Sequence, residues 1–101
     1  MPKLYEYFGL HVFFYSCEHD PVHVHGVYQG AECRAELIVQ NGEIVAIRFC
    51  DIKGRRPLDA SHFSDFKKLV SAHAQDILDK WVAFFVLHKP VASERITRRL
   101  Q

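Results

Sequence analysis

Three histidines stand close together in the first quarter of the chain, in the stretch E-H-D-P-V-H-V-H-G that begins at Glu18. Imidazole is the side chain whose charge changes near neutral pH, and it is also a common nitrogen ligand of zinc. The stretch therefore indicates one of two chemistries. In the first, two imidazoles exchange protons with a substrate. In the second, His19, His23 and His25 hold a divalent transition metal such as zinc.

The last two of these histidines are predicted to share one face of a β-strand. Residues 22–28 alternate apolar and polar side chains, which is typical of a strand. A two-residue turn at positions 29 and 30 would return the chain antiparallel to itself, with Tyr28 opposite Ala31. Because side chains alternate between the faces of a sheet, this register gathers several polar groups on one face. The predicted pairs on that face are His25 with Arg34, His23 with Glu36, and Val27 with Glu32.

One hypothesis for this face is a nuclease or phosphodiesterase of the toxin type. His23 and His25 would act as general acid and base. Arg34 would stabilise the negative charge of a phosphorane-like transition state, and Glu36 would orient an imidazole. The same face would also suit contacts to an acidic partner, and imidazoles paired with carboxylates across strands are equally a structural feature. The pattern leaves these alternatives open.

The first half of the chain predicts four β-strands in the order of a meander. Their ranges are 10–15, 22–28, 32–39 and 44–49. Asn41-Gly42 favours a type I′ hairpin between the last two strands, because both residues tolerate positive φ. Those two strands carry apolar side chains on both faces, whereas one helical layer covers a single face. This pattern favours association, including a homo-oligomer.

The second half predicts a long helical segment over residues 62–88, because apolar side chains recur there at intervals of three and four. Ser61 is the expected N-cap, a kink or break is expected within residues 71–76, and Pro90 follows the end of the segment. We therefore expect one α+β domain over residues 1–101. Its four-stranded antiparallel meander would be packed on one face by the C-terminal helical segment, with a basic tail from about residue 90.

The net charge of +1 hides an uneven distribution of charge along the chain. Residues 1–51 contain three basic and seven acidic side chains, whereas residues 52–101 contain ten basic and five acidic ones. Such a split indicates either a polar partner, which would be nucleic acid or an acidic protein, or simply a solvated helix followed by a basic tail. The spacing of a helix-turn-helix is not evident, so sequence-specific reading of DNA is not expected. The candidate contacts are Lys53, Arg55, Arg56, Arg95, Arg98 and Arg99.

The apolar runs of the chain are too short for a membrane-spanning helix. The longest run near the C-terminus covers residues 81–87, against the roughly 20 residues that a span requires. The N-terminus carries no signal-peptide pattern. The three cysteines form no C-x-x-C pair, which is typical of reduced thiols, so we expect a cytoplasmic protein.

Several motifs, taken together, resemble a known family. The chain has Y-F-G-L from Tyr7 to Leu10, then an aromatic strand, then H-D-P-V-H-V-H from His19 to His25, and later I-L-D-K-W from Ile77 to Trp81. A pattern of F-Y-G, then H-x-P-P-H-x-H, then a hairpin and L-x-x-W is similar to domain of unknown function 4160, a family of short prokaryotic proteins. Val22 stands where that pattern has its second proline, and the three histidines are all present.

The resemblance implies a partner protein. Genes of this family often lie beside a gene for another small protein, which implies a two-component, toxin–antitoxin-like module. We therefore expect an interaction component of such a module, which binds the small protein encoded by the neighbouring gene and contacts nucleic acid through basic residues. The alternatives are an RNase or phosphodiesterase-type toxin that uses the His-x-His strand, and a histidine-based metal-binding module.

Overall fold

The structure, a computed structural model, describes residues 2–14 and 22–100. They form a six-stranded sheet with a layer of helices on one face. The strands are β1 (Lys3–Tyr7), β2 (Leu10–Phe13), β3 (Val22–Tyr28), β4 (Ala31–Gln40), β5 (Glu43–Asp51) and β6 (Glu94–Ile96). The helices are α1 (Ala60–Ala72) and α2 (Ala74–Trp81), and a π-helical segment (Val82–Val86) follows α2 directly.

The spatial order of the strands is β5-β4-β3-β2-β1-β6. Neighbouring strands run antiparallel, except that β6 runs parallel to β1. The predicted α+β class is therefore confirmed, but the predicted four-stranded antiparallel sheet is wrong in strand number and, at one edge, in strand direction. The prediction assigned no strand to residues 3–7, where β1 lies. It also missed β6, because three residues are too few for an alternating pattern to be recognised.

Two hairpin turns connect the central strands, and the register that follows the second turn shifts by one residue between Ile38 and Val39 of β4. The turn residues have φ of +47° and +83° between β3 and β4, and of +53° and +81° between β4 and β5. Positive φ at both central positions matches the twist of antiparallel strands. The predicted pairing of His25 with Arg34 and of His23 with Glu36 is confirmed.

The helical layer covers the sheet through an apolar stripe. Phe66, Leu69 and Val70 of α1 and Ile77 of α2 are all buried. The two helices meet at His73, whose φ of −116° and ψ of 18° leave the helical region. The break that was predicted within residues 71–76 is therefore confirmed. No helix within the described ranges is long and apolar enough to cross a bilayer.

Asp59, and not the predicted Ser61, caps α1. The helix begins at Ala60, and the Asp59 carboxylate accepts the backbone N–H of His62 at 2.9 Å. That hydrogen bond is the main reason why the pKa of Asp59 lies below its usual value. The Nδ1 atom of His62 lies 2.8 Å from the same carboxylate, and the His62 ring stacks on Tyr28 with centroids 3.6 Å apart.

The Asp59→Ala variant is expected to lower the midpoint of thermal unfolding by about 4 °C at neutral pH, because α1 loses its cap. The difference should shrink as the pH falls through the lowered pKa of Asp59. A carboxyl whose pKa is depressed by folding stabilises the fold only while it is ionised. Calorimetry at neutral pH and at about pH 3 measures both effects. Ser61→Ala is the matched control, and an equal loss in that variant would contradict the assignment of the cap.

Part of the predicted basic tail is a structured element of the sheet. β6 pairs with β1 over three residues. Beyond it, the guanidinium of Arg99 lies 4.0 Å from the centroid of the Phe8 ring and 3.7 Å from the carboxylate of Asp65. The backbone N–H of Leu100 donates to the hydroxyl of Tyr7 at 2.9 Å. These contacts hold residues 94–100 against β1, the turn that follows it and α1.

A buried tyrosine connects β1 to α2. The hydroxyl of Tyr5 donates a hydrogen bond to Asp76, and the ammonium group of Lys80 lies 3.0 Å from the same carboxylate and 4.4 Å from the centre of the Tyr5 ring. Burial, followed by the hydrogen bond to Asp76, raises the pKa of Tyr5 well above its usual value. Burial opposes ionisation of Asp76, but hydrogen bonds from Tyr5 and Lys80 outweigh it and lower the pKa of that carboxyl.

Candidate functional site

The two faces of the sheet differ in chemistry. On one face the helices pack closely, since a Cβ added to Gly26 of β3 would lie 2.6 Å from the ring of Phe66. His23 and His25 are the alternate residues of the same strand, so they point to the opposite face, which we call the outer face. The predicted sharing of one face by these two imidazoles agrees with the observed register.

A histidine–carboxylate pair lies at the centre of the outer face. The Nδ1 atom of His25 lies 3.0 Å from Oε2 of Glu32, and both side chains are only about 6% exposed. The ring of His23 lies next to that of His25, with centroids 5.3 Å apart. Phe13 of β2 stacks on the other side of His25, at 6.3 Å. The arrangement packs imidazole and carboxylate together with an aromatic ring, away from bulk water.

A second carboxylate on this face binds two arginines. Glu36 is 4% exposed and lies 3.0 Å from the guanidinium of Arg34. The Nε atom of Arg48, on β5, donates to Glu36 at 3.0 Å. That hydrogen bond, more than any other contact, raises the pKa of Arg48. Arg48 is 70% exposed, so its guanidinium group lies toward solvent and the buried carboxylate of Glu36 lies beneath it.

The structure brings the four predicted catalytic residues onto one face, but in two respects it differs from the prediction. The imidazoles of His23 and His25 are buried and do not form an exposed polar surface. The carboxylate bound to His25 is Glu32, whereas Glu36, which was predicted to orient an imidazole, binds guanidinium groups. The catalytic roles assigned to these residues remain predictions.

Glu32 is the residue that the assignment of roles missed. The register had already placed it on the correct face, opposite Val27. His25 faces Arg34 directly, so Glu32 is its diagonal neighbour, two residues along β4. Diagonal side chains across an antiparallel pair are within reach of one another when they are long. A search of the diagonal positions as well as the direct ones would have found this partner.

The pair defines which nitrogen of His25 can act as a base. When Nδ1 carries the proton and donates to the Glu32 carboxylate, the basic nitrogen is Nε2. A carboxylate in this position also stabilises the imidazolium form, as an orienting acid does in a catalytic triad. The geometry is therefore compatible with acid–base chemistry, provided that a substrate reaches the outer face.

The metal-site prediction involves a residue outside the described part of the chain. His19 is not among residues 2–14 and 22–100, so its position relative to His23 and His25 is not described. Within those ranges, no three His, Cys, Asp or Glu side chains are arranged to hold a metal ion. The zinc site that includes His19 stays a prediction.

Four of the six basic residues predicted to contact nucleic acid have partners within the chain. Arg55 lies 3.7 Å from Glu32, and Arg56 donates to the carbonyl oxygen of Gln29 at 2.6 Å. Arg95 lies 3.3 Å from Glu6, in addition to the contacts of Arg99 described above. The remaining two are Lys53 and Arg98. The first three residues follow β5 and the last three belong to β6 or follow it, at opposite edges of the sheet, so they do not form one cluster.

Apolar side chains face solvent where the helical layer ends. Val82, Val86 and Leu87 are 37%, 56% and 54% exposed, and we call these three residues the C-terminal apolar surface. The backbone N–H of Leu87 donates to the carbonyl of Val82 at 3.0 Å, which closes the π-helical segment. A cavity of about 520 Å³ lies beside it, lined by Phe84, Phe85, His88, Lys89 and Pro90.

A comparison with models of protein families gives a match. A family model described as "Domain of unknown function (DUF4160)" matches residues 9–82. The matched range contains the His-x-His strand, the hairpins and both α-helices, whereas β1 and β6 lie outside it. No curated protein and no solved structure matches the chain.

Proposed function

The chain belongs to the family described as DUF4160, and we propose that it is the interaction component of a two-protein, toxin–antitoxin-like module. The partner in this proposal is the small protein encoded by the neighbouring gene, as the family resemblance implies. The proposal concerns binding: the chain recognises a protein surface and thereby controls, or is controlled by, its partner.

The observation that supports this proposal is a local departure from the usual distribution of side chains, on the outer face and at the end of the helical layer. Four titratable side chains, His23, His25, Glu32 and Glu36, are buried. Meanwhile the C-terminal apolar surface faces solvent. Exposed apolar side chains that form a contiguous patch are a known mark of protein–protein contact sites. A π-helical segment, such as the one that presents these groups, is also frequent at functional sites.

Co-expression with the neighbouring gene tests the proposal. We expect the two proteins to purify as one complex, and we expect one of them to inhibit growth when expressed alone and to be relieved by the other. Leu87→Asp should weaken the complex by about tenfold or more, because it places a charge in an apolar contact. Ala72→Asp is the matched control, since it adds the same charge at an exposed residue of α1.

The outcomes of this experiment are distinct. Two proteins that purify separately, with no effect of either on growth, would contradict the module. A complex that tolerates Leu87→Asp and Ala72→Asp equally would leave the module standing but would remove the C-terminal apolar surface as its contact. Circular dichroism of each variant shows whether a variant that no longer binds is still folded.

A second candidate function, an RNase or phosphodiesterase-type toxin, is favoured by the pairing of His25 with Glu32 at 3.0 Å. His25→Ala should abolish RNA degradation and growth inhibition by this chain, because the general base is lost. The control is His62→Ala, since His62 also pairs with a carboxylate, but on the helix side of the sheet. RNA degradation that persists without His23 and His25 would exclude this candidate.

A further inference from the structure

The sheet has two very different edges. β6 closes one edge with only three residues, whereas β5 forms the other with nine. Among the strands of residues 2–14 and 22–100, β5 pairs with β4 alone. The strand contains neither proline nor lysine, two common devices by which natural edge strands avoid pairing, and its register against β4 shifts once, at Val45 near its start. Five of its nine residues are exposed, and Val45 is 53% exposed.

From this edge we infer that β5 is the docking edge for an extended segment of the partner protein, which adds to the sheet as a seventh strand. The inference rests on the proposed function and adds to it the surface used and the kind of segment bound. An edge strand presents a row of backbone N–H and C=O groups that can pair with another chain. Strand addition uses those groups for affinity and the side chains for specificity.

The charges of β5 define the chemistry of that segment. Glu43 and Asp51 stand at the two ends of the strand, and Arg48 stands between them. Opposite charges across an antiparallel or parallel pair stabilise it, whereas like charges destabilise it. The complementary segment therefore carries a basic residue near each end and an acidic residue between them. Apolar side chains on the segment would face Ile47 and Phe49, which are only partly covered.

A second copy of this chain is a poor occupant of the same edge. Antiparallel self-pairing centred on Arg48 sets two guanidinium groups against each other. Pairing centred on Ile47 brings the acidic residues Glu43 and Asp51 together, and pairing centred on Phe49 sets Asp51 opposite Ile47. Each register opposes like charges or places a carboxylate against an apolar side chain. The charge pattern therefore favours a different chain as the occupant.

Hydrogen exchange on the complex with the small protein encoded by the neighbouring gene tests the inference. The outward-facing amides of β5 should exchange about tenfold more slowly, or slower still, in the complex than in the free chain. The protected segment of the partner should show the charge order basic, acidic, basic. Protection confined to the C-terminal apolar surface, with β5 unchanged, would overturn this inference and leave the proposed function in place. Failure of the two proteins to associate would overturn both.

A charge reversal gives an independent measurement. Glu43→Lys should weaken the complex by about fivefold, because an attractive cross-strand pair becomes repulsive. Glu94→Lys is the matched control, since Glu94 is an exposed glutamate in β6, the strand at the other edge. Equal weakening by both reversals would show general electrostatic attraction and would overturn docking at β5. Titration calorimetry at constant salt provides the two affinities.

Discussion

Gly26→Val is expected to destabilise the protein by about 3 kcal/mol, through overpacking between the sheet and α1. A Cβ at this position would lie 2.6 Å from Cδ1 and 2.7 Å from Cε1 of Phe66, far inside contact distance. The ring of Phe66 cannot move away from the new side chain, because it is fully buried and Phe49 packs against it with centroids 5.8 Å apart. Urea unfolding measures the change in the free energy of unfolding.

A double-mutant cycle shows whether the clash is the cause. Phe66→Leu removes part of the ring that Gly26→Val would strike, so the double variant should be more stable than the sum of the two single losses implies. Ala46→Val is the control for adding a branched side chain to an exposed strand position, with an expected change within about 0.5 kcal/mol. Simple additivity in the cycle would mean that α1 does not lie directly on β3.

Glu32→Leu is expected to cost about 3 kcal/mol, because it removes one member of a buried pair and leaves the polar ring of His25 beneath the surface. Both side chains are about 6% exposed, so water does not replace the lost contact at low cost. Chemical denaturation at neutral pH gives the change. Glu43→Leu, which removes an exposed carboxylate from the next strand, should change the stability by less than about 0.5 kcal/mol.

Replacing both members of the pair distinguishes their mutual interaction from simple packing. His25→Phe combined with Glu32→Leu removes the two polar groups together while retaining most of their volume. A buried pair replaced in this way often returns most of the stability lost in the single variant. A double variant that is no more stable than Glu32→Leu would indicate that His25 makes its main stabilising contact elsewhere.

The turns explain how much of the sheet was predictable. Gly30, Asn41 and Gly42 are residue types that adopt positive φ readily, and together with Gln29 they form the two hairpin turns. In the hairpin of β3 and β4, every cross-strand pair follows from the turn by counting. In the hairpin of β4 and β5, the register shifts by one residue between Ile38 and Val39, so counting from the turn gives only the first two pairs correctly. The turn between β1 and β2 uses Phe8 and Gly9, at φ of +48° and +87°. Phenylalanine seldom adopts positive φ, so this pair gives a weaker turn signal than Asn-Gly, and β1 was not predicted.

The burial of the imidazoles and carboxylates on the outer face was not predictable from the alternation of apolar and polar residues along the strands. The spacing of His23 and His25 correctly indicated that they share a face, but a period of two says only that the face differs from the apolar one. Whether water reaches that face depends on what packs over it, and this is a property of the whole molecule. The choice of Glu32 over Glu36 as the partner of His25 likewise depends on the reach and rotamers of side chains.

The sequence by itself determined what is local: the class of each long element, the break between α1 and α2, the register of β3 with β4, and the shared face of His23 and His25. These features follow from backbone preferences and periodicity over a few consecutive residues. Tertiary structure alone decided the parallel pairing of β6 with β1, the burial of the histidine–carboxylate pair, and the exposure of β5 and of the C-terminal apolar surface. Such contacts join residues that are far apart in the chain, and their free energy depends on the surrounding atoms and water.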